Sequence, residues 1–245
     1  MLLASCTKDA PPATPARPPP IAAAVVGPVG WIEGRVTARG KLPVFKPQPL
    51  DASLHKQCGT HAPDLSLAVA ADGALHLAVV SIDDAAPTAV PAGFVGAFVD
   101  QKACLYTPPI VATRAGQSIK VKNSDPLLHN VRAMHERKPV FNVAMPIENL
   151  TIDKPLPATP GVVQLHCDVH PWMTAWVATF AHDLFAVTSA EGRFRIDAVP
   201  VGRHPVKVWH PRLGELRREV EITAGAGASL ELGWELSDTS PREAP

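Results

Sequence analysis

The sequence predicts an all-β protein made of many short strands. Prolines number 27 and glycines 16 along 245 residues, and between them run short apolar stretches rich in Val and Thr. No long segment repeats its apolar residues at helical spacing. No hydrophobic run reaches the ~18 residues that a spanning helix needs.

Strands are expected in order from Gly30. Trp31 to Thr37 reads as the first, followed by a turn at Gly40 and Pro43. Leu65 to Ala70 and Ala74 to Ile82 read as a hairpin about the Asp72-Gly73 turn. Ala97–Asp100, Ile110–Thr113, Ser118–Lys122, Val162–Cys167 and Ala175–Phe180 follow. A second rhythm starts at Phe185, with a hairpin of Phe185–Thr188 and Arg193–Ile196 about Ala190-Glu191-Gly192. Val206–Trp209, Glu215–Thr223 and Ser229–Leu236 complete five short strands at sandwich spacing.

Charge excludes several functions. Lys plus Arg equals Asp plus Glu at 23 each, so there is no basic field for nucleic acid and no acidic buffering tail. The four cysteines, Cys6, Cys58, Cys104 and Cys167, form no Cys-x-x-Cys pair. Thioredoxin-type chemistry, most zinc ribbons and covalent c-type haem are therefore set aside. Leu3-Ala4-Ser5-Cys6 resembles a bacterial lipobox, although the charged and apolar portions that precede one are missing. Residues 7 to 29 hold seven prolines among alanines and read as a tether. The expectation is a periplasmic or cell-envelope protein, attached to a membrane only through lipid on Cys6. Cys58 and Cys104 are then expected to pair as a disulfide.

Chemistry concentrates in Leu165-His166-Cys167-Asp168-Val169-His170-Pro171-Trp172-Met173. A strand ending at Cys167 and a tight turn bearing His170 and Met173 could aim a thiolate, an imidazole and a thioether at one point. His129, in Leu127-Leu128-His129-Asn130-Val131, supplies the remaining donor from upstream. Two imidazoles, one thiolate and a weak thioether are the donors of an electron-transfer copper site. Zinc fits less well, because methionine is not among its usual ligands.

Those residues resemble the ligand loop of the cupredoxins, blue copper proteins of the amicyanin and plastocyanin type. A His precedes the Cys, a Pro follows the second His, and an aromatic stands before the Met, as His166, Pro171 and Trp172 do here. The likeness covers roughly residues 97 to 181. It implies an eight-stranded Greek-key sandwich, one type 1 copper per chain on His129, Cys167, His170 and Met173, and a bracing role for Asn130. Gly192-Arg-Phe-Arg-Ile196, Val199-Pro-Val-Gly202 and Val206-Lys-Val-Trp-His210 resemble the carboxypeptidase regulatory-like module, which implies no chemistry.

The predicted organisation is a lipoprotein-like start and tether (1–29), an N-terminal β segment (30–95), a cupredoxin domain (96–182), a regulatory-like β module (183–237) and a disordered tail (238–245). The predicted function is one-electron transfer between redox partner proteins of the dehydrogenase or cytochrome type, by a monomer with no enzymatic activity of its own. Copper delivery from the same donors is the alternative. His166 could bridge to a second, catalytic copper, but the chain has no His-x-His pair to complete one, and strand alternation points His166 away from Cys167. Met134, His135 and Met145 make a weaker candidate for Cu(I). His135, His182, His204 and His210 otherwise read as surface or turn residues. Trp172 is either part of an apolar docking patch or plain packing.

Overall fold

The computed structural model describes residues 27–43, 47–62 and 65–237. Cys6, most of the expected tether and the expected tail lie outside them. The chain opens with β1 (Val29–Gly40), a 3-10 turn at Ala52–Leu54 and the single-turn helix α1 (His55–Cys58). Three short strands follow, β2 (Ala68–Val69), β3 (Leu75–His76) and β4 (Val79–Ile82). Then come β5 (Ala97–Lys102), β6 (Leu105–Thr107), β7 (Ile110–Arg114), β8 (Ser118–Asn123) and β9 (His129–His135). Next are β10 (Lys138–Met145), β11 (Thr151–Pro155), β12 (Gly161–His166) and β13 (Thr174–Phe180). The last five are β14 (Phe185–Val187), β15 (Arg193–Pro200), β16 (Gly202–His210), β17 (Gly214–Ile222) and β18 (Gly227–Leu236). No helix among the described residues is long and apolar enough to cross a membrane.

The strands build two β-sandwiches, so the chain is all-β as its sequence predicts. In the larger, a five-stranded sheet of order β10-β9-β12-β13-β7 faces a four-stranded sheet of order β11-β8-β5-β6. The chain changes sheet from β7 to β8 and from β8 to β9, in the Greek-key manner. Inward side chains at every second position fill the space between, among them Val99, Val121, Val131, Val163, Leu165 and Val177, all fully buried.

The smaller sandwich draws on both ends of the chain. β1 lies between β15, antiparallel to it, and β18, parallel to it. A second sheet of order β14-β4-β16-β17 packs on that one through Ile32, Val36, Val80, Val206, Val208 and Ile222. Strands of residues 30–95 thus share sheets and core with strands of residues 185–236. A bridging cluster of Val79, Ile110, Trp176 and Ala178, with Val187 and Trp209 beside it, joins the two sandwiches.

Several strand expectations are corrected. β2 and β3 pair about Gly73, which sits at φ 87°, but Leu77 at φ 63° breaks the run to Ile82. β4 leaves for another sheet as a result. Phe185–Thr188 and Arg193–Ile196 form no hairpin, because β14 pairs with β4 and β15 with β1. The proline-bearing stretch after His129 forms β10 and β11 as sheet edges, where Pro139 and Pro155 leave no ladder bond missing within the sheet.

Candidate metal centre

β9 and β12 are antiparallel neighbours, paired as far as His166 opposite Arg132. The start of β9 and the end of β12 therefore meet at one end of the larger sandwich. Val163, Leu165 and Cys167 share the inward parity of one strand, and His129, Val131 and Ala133 that of the other. His129 and Cys167 consequently converge, although 38 residues separate them.

The loop after Cys167 closes on itself. The Cys167 amide donates to the Met173 carbonyl at 3.2 Å, and the Met173 amide donates to the His170 carbonyl at 2.9 Å. This tight turn carries His170 back over the sulfur. Cys167 Sγ lies 3.9 Å from Nδ1 of His129 and 3.9 Å from Nδ1 of His170, and the two nitrogens are 2.8 Å apart. All three side chains are buried. A point about 2.1 Å from all three atoms exists at those separations, matching the ~2.0–2.3 Å at which imidazole and thiolate bind a first-row ion. The donor set thus fits a single metal ion. Met173 is fully buried in the same core cluster as Cys167 and closes the loop beside them.

His129 and Cys167 are held from behind. His129 Nε2 bonds Asp125 Oδ2 at 2.9 Å, and both side chains are wholly buried. Asp125 also accepts from Gln57 Nε2 (2.9 Å) and from the amides of Ala103 (2.7 Å) and Cys104 (2.8 Å). Those partners are tied together by the Cys58–Cys104 disulfide. With the Nε2 proton committed to Asp125, Nδ1 of His129 is the atom left to face Cys167. Asn130 braces the two ligand segments, as its resemblance implied. Its Nδ2 donates to Asp168 Oδ2 at 2.9 Å, its Oδ1 accepts from the Asp168 amide, and its own amide points at Cys167 Sγ at 3.5 Å. Tyr106 Oη lies within bonding distance of the carbonyls of Asn130 (3.0 Å) and His166 (3.1 Å), beneath both strands.

Electrostatics follow from this packing. Burial opposes the Cys167 thiolate, but His129, His170 and the Asn130 amide outweigh it and bring the thiol down to about 6. Burial likewise opposes a charged His129, yet Asp125 and Cys167 raise it to about 8. Asp125 is kept ionised against its burial by His129 and the two backbone amides. Near neutral pH the metal-free site therefore holds a thiolate against an imidazolium.

His166 is half-buried on the opposite strand face, near Arg132, with no second histidine cluster among the described residues. Met145 stands opposite His129 in the β9–β10 ladder, fully buried in the core. His135 and His210 are buried on strands rather than at the surface or in turns, a correction with a simple cause, whereas His182 lies buried in the bend after β13. His135 shares the inward parity of Val131 and Ala133, and His210 that of Val206 and Val208. Burial and the nearby Arg212 hold His210 uncharged, its value pushed down to about 3. Trp172 packs, with its indole N–H donating to the Cys104 carbonyl (3.1 Å) and its ring 5.2 Å from that of His170. Sequence reasoning missed Asp125. Its only signal is the turn-like Asn123-Ser-Asp-Pro126, which says nothing of a contact with a histidine four residues on.

Compared with solved structures, the chain resembles amicyanin. A Cu(I) form of an amicyanin variant is 20% identical, over 41% of this chain and 98% of that one, with a TM-score of 0.31. Amicyanin from Paracoccus versutus is also 20% identical, over 41% and 97%, with a TM-score of 0.31. A purple cupredoxin from Nitrosopumilus maritimus is 20% identical, over 34% and 99%, with a TM-score of 0.30. No family model matches the chain, and no curated protein matches it significantly.

Proposed function

We propose that the protein carries one type 1 copper on His129, Cys167 and His170, with Met173 as a weaker ligand, and serves one-electron transfer between proteins. The carrying observation is the convergence of two Nδ1 atoms and one Sγ at 2.8 to 3.9 Å in a buried pocket. Bound there, copper would supply a centre that alternates between two oxidation states. Soft sulfur suits the reduced ion, and imidazole suits both. Asp125 keeps the proton of His129 on Nε2, so the ligating nitrogen does not wander. Asn130 and Tyr106 tie the Cys167 and His129 segments together, so the donor atoms keep their places in both states.

By the same reading the protein is a carrier rather than an enzyme, in a periplasmic or envelope setting, anchored through Cys6. Residues 183–237, which supply most strands of the smaller sandwich, are read as a regulatory-like module without chemistry of its own. Visible and EPR spectra of copper-loaded protein test the proposal. Expected are an intense blue thiolate-to-copper band that bleaches on reduction, one copper per chain, and loss of the band in Cys167→Ser. A Cys167→Ser variant that stays blue would sink the assignment. Loss of the metal on oxidation would favour copper delivery, and two coppers per chain an enzyme.

A further inference from the structure

We propose that the strap of residues 48–62 belongs to the metal centre: Gln57, with the turn that the Cys58–Cys104 disulfide ties to it, sets how hard Asp125 pulls on the Nε2 proton of His129, and so how strongly His129 donates to a metal. The inference rests on His129 being a ligand, as proposed above. Among the described residues the strap adds no strand to either sandwich, yet it is closed and held. The Leu50 amide donates to the Thr60 carbonyl at 3.0 Å, and the Ala62 amide to that of Gln48 at 2.8 Å. Asp51 caps the 3-10 turn, its carboxylate accepting from the Ser53 amide at 2.8 Å. Leu50 and Leu54 pack on the core of the larger sandwich. Gln57 and Cys58 are thus presented from an anchored single-turn helix, α1.

Asp125 is where the strap acts. Its Oδ1 accepts from Gln57 and from the Ala103 amide, and its Oδ2 bonds the Cys104 amide and His129. Apart from His129, these donors all sit in the disulfide or next to one of its cysteines. Ala103 and Cys104 are the whole loop between β5 and β6, since Lys102 pairs with Leu105. Both stand at positive φ, 53° and 58°. A type I′ turn needs this, and it favours Asn-Gly there. For residues with a Cβ the left-handed region costs about 1–2 kcal/mol each. Such strain persists only where the surroundings impose it. The disulfide and Asp125 do so here. The Cys104 carbonyl also accepts the indole N–H of Trp172 at 3.1 Å, and that ring lies 5.2 Å from the ring of His170. One strained turn thus reaches toward both imidazoles, through Asp125 on one side and Trp172 on the other.

The consequence has a sign. Each donor on Asp125 draws charge from its carboxylate. Removing one makes the carboxylate a stronger acceptor, which pulls the Nε2 proton of His129 closer and makes the imidazole a better electron donor. A better donor favours Cu(II) over Cu(I), because the more highly charged ion gains more from it. Gln57 is therefore a positioning residue: it touches no metal, but it tunes the group behind one ligand.

The test uses the full chain carrying Gln57→Leu, which keeps the bulk and loses the donor, or Gln57→Lys, which supplies a stronger, charged donor. In metal-free protein the Nε2 proton resonance of His129 is assigned by its absence in His129→Gln. It should move downfield in Gln57→Leu and upfield in Gln57→Lys. In copper-loaded protein, Cu(I) and Cu(II) affinities are measured separately against competing chelators. Their ratio should shift about threefold or more toward Cu(II) in Gln57→Leu, and toward Cu(I) in Gln57→Lys. Equal weakening of both ions, which mere packing by Gln57 would give, or an unmoved resonance in both variants would overturn the proposal. Failure of the native protein to bind copper would strike the function proposed above, and the resonance shifts would still decide the strap.

Discussion

The two sandwiches solve the same packing problem with different interiors. Between the sheets of the smaller one lie Ile32, Val36, Val80, Val206 and Val208, with the uncharged His210 a buried polar exception at the end of β16, while charges such as Asp83, Lys207 and Arg217 pair toward the surface. The larger one buries Gln101, Asn123, Asp125, His129, Asn130 and His170 at and beside its ligand end. Burying polar groups is costly unless each finds a partner. Here most of the partners are supplied one by one, down to two backbone amides aimed at Asp125, although Gln101 Oε1 is left unmatched. An apolar core needs only volume and parity, whereas a buried polar network needs atoms placed to a few tenths of an ångström.

The largest expected effect strikes that network. Asp125→Ala strips His129 Nε2, Gln57 and two amides of their shared acceptor at a fully buried site. Breaking such a pair should cost about 3–5 kcal/mol, read by urea unfolding of metal-free protein. A loss below about 1 kcal/mol would show that the two interiors are not so different after all.

Acidity sharpens the contrast next. Between about pH 8 and 6 the metal must displace one proton, from His129, so copper affinity should fall about tenfold per unit of acidification. Below about 6 the Cys167 thiol must also be deprotonated, and the fall should steepen. Affinity measured against a competing chelator across pH 5 to 9 checks this; a flat profile would contradict the thiolate–imidazolium pair.

The smallest effect belongs to the other sandwich. Asp83 pairs with Lys207 at 2.7 Å and Arg217 at 3.0 Å, partly open to solvent. Although burial works against its charge, those two cations hold its carboxyl below the usual value. Its contribution is therefore present above the unfolded value and is lost as pH falls through the folded one. Asp83→Ala should cost about 0.2–1 kcal/mol, less at high salt, and leave the copper spectrum unchanged. A shifted spectrum would mean that the two sandwiches are coupled more closely than their interiors imply.

The fold and the site were not equally legible. Strands β5, β7, β8, β12 and β13 could be read because alternation and turn residues act locally. β10 and β11 could not, because edge position, which makes proline tolerable there, is not written in the strand itself. Cys167, His170 and Met173 were readable as a set because one short loop carries all three. His129 could be read only as the donor the loop lacks, taken from far upstream, with the family pattern in support. Asp125 was invisible, since its bond to His129 depends on a loop shaped by Asn123, whose side chain donates to the carbonyls of Leu127 and Met145.

The amino-acid order by itself determined the all-β class, the donor types and their Cys-x-x-His-x-x-Met spacing, because periodicity and ligand chemistry are local properties. Only the tertiary structure decided that β1 lies between β15 and β18, that Cys58 meets Cys104, and that Asp125 stands behind His129. Those outcomes join residues tens to hundreds of positions apart, or turn on a loop's path, and only the packing of whole sheets settles such distances.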